Sequence, residues 1–262
     1  MPLEEQFRQA RAAGFEGVEV RITNGIQIGA SKEEALRIAD AARRHRLAIV
    51  SLWASPALEQ NWLNHPDADT RAKGVQAIHK AIDLAQALNC GAILIVPGRL
   101  GDGPTFRYSY QDTWDRVTAE LRKLIPHAEQ AKVCLTPENV WNKFLVSPLE
   151  MRAFIDQFQS PWLQAHFDIG NVMQFGYPQD WIQTLGSRIK RLHVKDYKLS
   201  ERNEQGRFVD LLEGDVDLKE VMSALKKVGY SGFISPEYGP RPGDSDRLLK
   251  ISKALDTILA MA

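Results

Sequence analysis

Four side chains that can ligate metals stand at the ends of short apolar runs. They are Glu138 in TPENVWNKF, Asp168 in HFDIGN, His193 in LHVKDYK and Glu237 in SPEYG. Successive members are 30, 25 and 44 residues apart. A strand, a crossover helix and their connections fill about 30 residues, so each gap holds one strand–helix unit. The longest gap also holds the polar segment KLSERNEQGRFVDLLEGDVD (198–217). Three carboxylates and one imidazole make an oxygen-rich donor set for one divalent cation, with positions left for a substrate. Mn2+ or Mg2+ suits that set best, with Co2+ and Zn2+ as alternatives. Singly, each residue has a plainer use: a strand-end carboxylate can cap the next helix or pair with a lysine, and a histidine can be a satisfied core residue. Four of them on four strands favour convergence on one ion.

Convergence requires a scaffold that gathers strand ends. Helical spacing over 3–15, 31–47, 67–90, 109–132, 147–158, 180–187, 218–230 and 244–262 alternates with apolar runs at 16–22, 48–54, 92–98, 133–140, 163–170, 189–197 and 232–239. Ser31 and Glu34 form a capping-box pattern at the second helix. Strict alternation implies parallel strands joined by right-handed crossovers, and continuous apolar strands are buried on both faces. An open doubly wound sheet and a closed (β/α)8 TIM barrel both satisfy this. The barrel is favoured by the length of 262 residues, the lack of a glycine-rich turn after the first strand and the absence of a composition break. A single α/β barrel domain over 1–262 is expected. Only seven strands are found, and the chain opens on a helix. Either the first strand is missing, or the barrel closes with seven, or NGIQIGA (24–30) supplies an irregular element.

Lys+Arg and Asp+Glu both number 33, so no net field draws the protein to nucleic acid or to an acidic membrane. Cys90 and Cys134 lie in apolar segments without a pairing pattern and read as buried free thiols of a reducing compartment. No signal peptide and no apolar run near the roughly 18 residues of a membrane span is present, so a cytoplasmic location is expected.

The runs ENVWNKFLVSPLEM, HFDIGNVMQFGYPQDWI, RIKRLHVKDYK, LLEGDVD and ISPEYG closely resemble the sugar-phosphate isomerase/epimerase family. That family belongs to the xylose-isomerase-like barrels and includes ketose 3-epimerases and hexulose-phosphate isomerase-like proteins. The resemblance runs from about 3 to 255. It implies that Glu138, Asp168, His193 and Glu237 bind one divalent metal, and that Glu138 and Glu237 also act as acid and base. The chain departs from the family in lacking the first strand. It also has Asn171 where ketose 3-epimerases carry a second histidine. Type IV apurinic endonucleases of the same superfamily need more histidine ligands than this chain's six histidines offer at strand tips. Pro137 and Pro236 precede the two glutamates, which agrees with a strand-end position.

The chemistry implied is proton transfer through a metal-stabilised enediolate of a ketose sugar or sugar phosphate. Two glutamates on opposite faces of the carbon would give epimerisation, and one face alone aldose–ketose isomerisation. An inosose-type dehydratase and a non-catalytic sugar-binding barrel are the alternatives. Asp196 is the candidate to fix the second nitrogen of His193. Glu19, Asn139, Asn142 and Asn171 are candidates for sugar hydroxyls, while Trp53 and Trp141, with Phe144, would offer an apolar wall. Lys195, with Lys143 and Lys198, is the phosphate candidate, and 96–104 is a candidate cover for the pocket. A small sugar is the expected partner, with no nucleic acid or membrane, and a homo-oligomer is compatible.

Overall fold

Short buried strands and amphipathic helices follow one another as α1 (Leu3–Ala12), β1 (Gly17–Arg21), α2 (Lys32–Arg44), β2 (Ala48–Trp53), α3 (Ala68–Ala87), β3 (Ala92–Ile95), α4 (Tyr110–Ala131), β4 (Cys134–Pro137), α5 (Pro148–Asp156), β5 (Ala165–Asp168), α6 (Ile169–Val172), α7 (Pro178–Leu185), β6 (Ile189–Val194), β7 (Asp196–Lys198), β8 (Arg207–Val209), α8 (Leu218–Lys227), β9 (Ile234–Pro236) and α9 (Arg247–Leu259). The computed structural model describes residues 2–22, 25–59, 61–101, 108–200, 204–239 and 241–262. Ser31, Asp67, Ser109, Ser147 and Asp217 each accept the backbone N–H three residues on and so start α2, α3, α4, α5 and α8. Each cap satisfies a donor that a helix start leaves open.

The strands form two parallel ladders, β1-β2-β3-β4 and β5-β6-β9. Single parallel bridges, Leu135 to Leu163 and Glu138 to His166, join the ladders between β4 and β5. The result is a parallel α/β barrel with its helices outside. β3, β4 and β5 are buried at every position, as strands covered on both faces must be. By contrast, β9 is half-buried throughout, and among the described residues no ladder joins it to β1. The seam is packed instead of hydrogen-bonded. Phe233 lies so close to Gly17 that a Cβ there would fall 3.2 Å from its ring, and only 2.6 Å from Val50. Arg191 of β6 also crosses to β2, donating from Nε to the Val50 carbonyl at 2.6 Å.

The expected seven parallel strands are therefore present. Ile26 makes one bridge, to Ile22 beyond β1, and is no substitute for an eighth strand; residue 24 of the 24–30 segment lies outside the described residues. Every strand is shorter than its apolar run, and two of them end at a change of element. The 163–170 run stops at Asp168, where α6 begins, and the 189–197 run divides at Lys195 into β6 and β7. The 198–217 segment is not simply a loop, because β7 and β8 pair as an antiparallel ribbon. Tyr238 clamps that ribbon, accepting the Asp196 N–H and donating to the Val209 carbonyl. Cys90 and Cys134 are buried and unpaired, and burial pushes both thiols up to about 12. Among the described residues no helix is long and apolar enough to cross a membrane.

Candidate metal centre and active site

The parallel register brings the four strand ends to one place on the rim. Asp168 is the register partner of His193, and His193 of Ser235, two residues before Glu237. His193 Nδ1 lies 3.0 Å from Glu138 Oε1, 3.1 Å from Glu237 Oε2 and 3.8 Å from Asp168 Oδ2. One ligand atom from each residue falls within 4.8 Å of all the others. Glu138, Asp168 and His193 are buried, while the Glu237 side chain is 31% exposed. Lys195 Nζ sits on the acidic side of the group, 2.7 Å from Glu237 Oε2 and 3.1 Å from Asp168 Oδ2.

Asp168 serves two masters, one with each oxygen. Oδ1 accepts the Asn171 N–H at 2.8 Å and caps α6. Oδ2, like Glu237 Oε2, is buried and accepts no well-aligned hydrogen bond from the protein, with only the ion pairs to its cationic neighbours. Buried carboxylates at such spacing are unfavourable unless positive charge offsets them. The three carboxylates and the imidazole nitrogen fit a divalent cation by donor type, with Asp168 Oδ2 and Glu237 Oε2 as the oxygens most in need of one.

The two glutamates differ electrostatically. Burial raises Glu138, and the hydrogen bond from His193 only partly opposes this, so it titrates at about 7. Burial also raises Glu237, but His193 and Lys195 outweigh it and hold that carboxyl at about 2. Burial disfavours charge on His193, yet Glu19, Glu138 and Glu237 raise its pKa well above the usual imidazole range. Lys195 is raised too, its burial overcome by Asp168 and Glu237.

Glu19 makes a contact that sequence reasoning did not anticipate. Its Oε2 lies 2.7 Å from His193 Nε2, on the ring nitrogen away from Glu138 and Glu237. Burial raises its pKa, but His193 lowers it further, to about 2. A carboxylate on Nε2 keeps a proton there, so that Nδ1, once it gives up its own proton, would be the nitrogen to ligate a cation. Asp196 does not take that role: its carboxylate accepts the N–H groups of Tyr197, Gly214 and Val216, anchoring the segment that follows β7. His166 was also missed. It shares an inward face with Asp168, two residues on, and its buried ring stacks edge-on against His193 at 4.1 Å. Both its ring nitrogens lack hydrogen-bond partners, and burial pushes its pKa well below the usual value. The alternation of strand faces was the available signal.

The three asparagines expected to hold sugar hydroxyls bind backbone. Asn139 donates to the Asp168 carbonyl at 2.9 Å and accepts its N–H at 2.8 Å, while Asn171 donates to the Asn139 carbonyl at 2.9 Å. These bonds bolt the end of β4 to the end of β5. Asn142 likewise donates to the Gly98 carbonyl and accepts the Phe144 N–H. Trp141 is at the rim, its indole donating to the Asn171 carbonyl and its ring stacked on Phe208 at 5.2 Å. Lys195 Nζ lies over the other ring of that pair, 5.1 Å from the Phe208 centroid. Phe144 is buried among Tyr110, Trp114 and Phe154 and belongs to the core. Trp53 ends β2 and carries the Arg21 guanidinium on its face at 4.4 Å. Of the 96–104 segment, residues 102–104 lie outside the described residues.

A parallel barrel with a carboxylate and imidazole cluster at the strand ends defines an α/β barrel with a candidate cation centre on its rim. The xylose isomerase-like TIM barrel family model matches residues 7–257, and the chain belongs to that family. An L-ribulose-5-phosphate 3-epimerase of Escherichia coli O1:K1 is 26% identical over 261 residues, spanning 98% of this chain and 88% of its own. The solved D-psicose 3-epimerase of Clostridium cellulolyticum H10, with D-tagatose, superposes with a TM-score of 0.82 at 18% identity, covering 98% of this chain and 93% of its own. The solved IOLI protein with a binding zinc atom also gives 0.82, at 15% identity, covering 99% of this chain and 94% of its own.

Proposed function

We propose that this enzyme is a divalent-metal-dependent isomerase or epimerase of a ketose sugar or sugar phosphate, with epimerisation next to the carbonyl as the reaction its site supports best. The relatives identify an enzyme acting on sugars. The observation that carries the finer reading is the pair Glu138 and Glu237, whose carboxylate oxygens lie 3.0 and 3.1 Å from His193 Nδ1. Two carboxyls gathered at one strand-end cluster are suited to acid and base work at one carbon.

Glu138, Asp168, His193 and Glu237 would hold the ion. Once bound, a divalent cation supplies the positive charge that acidifies the C–H beside a carbonyl and stabilises the enediolate left behind. In this reading Glu237, ionised and the more open of the two, removes the proton. Glu138, the more buried of the two, returns a proton to the other face of the carbon, which inverts it. Lys195 keeps Glu237 ionised at 2.7 Å. Glu19 would fix the His193 tautomer, and Trp141 with Phe208 offers an aromatic wall beside Lys195.

The test is to incubate Mn2+-loaded protein with ketopentoses and their 5-phosphates in heavy water and follow deuterium by NMR. Deuterium at C3 together with the C3 epimer supports the proposal. Deuterium at C1 or C2 with an aldose product moves the activity to isomerisation, and loss of water moves it to a dehydratase. No exchange with any sugar contradicts the proposal.

A further inference from the structure

A second group of nitrogen and oxygen donors lies in the outer helical layer, on helices that carry none of the rim ligands. α3 and α4 pack against each other, and His79 of α3 meets His127 of α4, 48 residues later in the chain. Both rings are half-buried. Their Nδ1 atoms lie 2.8 Å apart and their ring centroids 5.0 Å apart. Behind His127, the exposed Asp83 places Oδ1 2.9 Å from Nε2. His79 and Asp83 are one helical turn apart on α3, so both reach the same stretch of α4.

The placement of protons decides what joins the two rings. A carboxylate this near Nε2 favours the His127 proton on that nitrogen, which turns the Nδ1 lone pair toward His79. His79 Nε2 has no hydrogen-bond partner among the described residues and can carry the His79 proton into solvent. His79 then either donates from Nδ1 to His127 or presents a second lone pair to the same gap. Burial and the neighbouring His127 lower the His79 pKa against the opposing pull of Asp83, which favours the neutral ring that ligation requires. Neighbouring nitrogens at right angles, each about 2.0–2.1 Å from a metal, stand about 2.9 Å apart. The two Nδ1 atoms are already at that separation, so little side-chain movement is needed to admit an ion. The carboxylate behind one of two convergent imidazoles is the arrangement that orients metal ligands.

We propose that His79 and His127 form a second metal site, for a late first-row divalent ion, with Asp83 orienting His127. Two imidazole nitrogens with water in the other positions suit Cu2+, Ni2+ or Zn2+ and discriminate against Mn2+ and Mg2+, the reverse of the oxygen-rich rim. The ion ties together the two helices that precede and follow β3, and no residue of the rim takes part. The site is independent of the reaction proposed there.

Cu2+ is the probe, because its electron paramagnetic resonance spectrum counts coordinated imidazoles. Chelator-treated wild type, His79→Gln, His127→Gln, Asp83→Ala and Asp168→Asn are each titrated with Cu2+, with circular dichroism recorded to check the fold. The wild type should show a component with two imidazole nitrogens. That component should vanish in His79→Gln and in His127→Gln and persist in Asp168→Asn. In Asp83→Ala it should remain, with Cu2+ affinity about tenfold lower or more, as loss of a partner behind a ligating histidine brings. A wild type without the component overturns the site, as does a component that survives both histidine changes. Its loss in Asp168→Asn would assign it to the rim, where His166 and His193 stack, and would overturn the outer site equally. Unchanged affinity in Asp83→Ala removes Asp83 from the orienting role.

Discussion

On the side of the rim formed by β4, β5, β6 and β9, carboxylates are gathered and mostly buried around His193. On the side formed by β1, β2 and β3, two arginines lie on tryptophan faces around an open depression. Both arrangements use charged groups, but burial gives them different requirements. The acidic side is largely desolvated, and its carboxylates, which repel one another strongly, lie against the positive charge of Lys195. On the basic side Arg21 is exposed and keeps its solvent. The balance of 33 acidic and 33 basic residues therefore conceals a polarised rim.

The comparison breaks most sharply at the two glutamates. Glu138→Gln and Glu237→Gln should each lower proton exchange at the substrate carbon by about 10²- to 10⁴-fold, the range of a lost general acid or base. Near-normal exchange in either variant removes that residue from the proposed role, and Arg21→Gln should leave exchange into a neutral ketose unchanged. Next comes the support behind the ligands. Glu19→Ala should weaken Mn2+ binding by roughly 10- to 100-fold, as loss of a partner behind a ligating histidine does, with Glu19→Gln restoring much of it through its carbonyl oxygen. Unchanged affinity in Glu19→Ala would place Glu19 outside the metal centre.

Proton competition is smaller and graded. Glu138 is raised from 4.5 to about 7 by folding. A carboxyl raised in this way stabilises the folded protein most below pH 4.5, and that contribution is lost as pH climbs toward 7. A cation must displace that proton and also the one on His193, whose pKa is raised well above the usual imidazole range, so Mn2+ affinity should fall at least about tenfold per pH unit below 7 and keep rising above it. A flat profile from pH 8 to pH 6 would show that Glu138 does not bind the ion. Least affected should be Phe208→Ala, which strips the stacked face from Trp141: a several-fold rise in KM with Mn2+ affinity unchanged. Loss of metal binding in that variant would mean the β7–β8 ribbon holds the centre together.

The acidic half was legible in the sequence because each of its members ends an apolar run, and parallel strands in a barrel have no other place to put those ends. The seven strands and most helix starts were legible for a related reason, since Ser31, Ser109 and Ser147 sit where a first turn needs an acceptor. What resisted reading was contact between distant strands. Glu19 and His193 are 174 residues apart, and nothing local says that one carboxylate sits behind another strand's imidazole. Asn139 and Asn171 carry the composition of sugar-binding residues, yet their amides bind the backbone of β4 and β5 because two strand ends there lack other partners. The basic half stayed hidden because Arg21 and Arg99 belong to no motif; only the fold puts both beside tryptophans on one stretch of rim.

The central claim is that Glu138, Asp168, His193 and Glu237 form one cation centre, and calorimetric titration of chelator-treated protein with Mn2+ tests it most directly. The wild type should bind one ion per chain, Asp168→Asn should bind none measurably, and Arg21→Gln should match the wild type. Absence of binding to the wild type, or equal binding by Asp168→Asn, would contradict the claim.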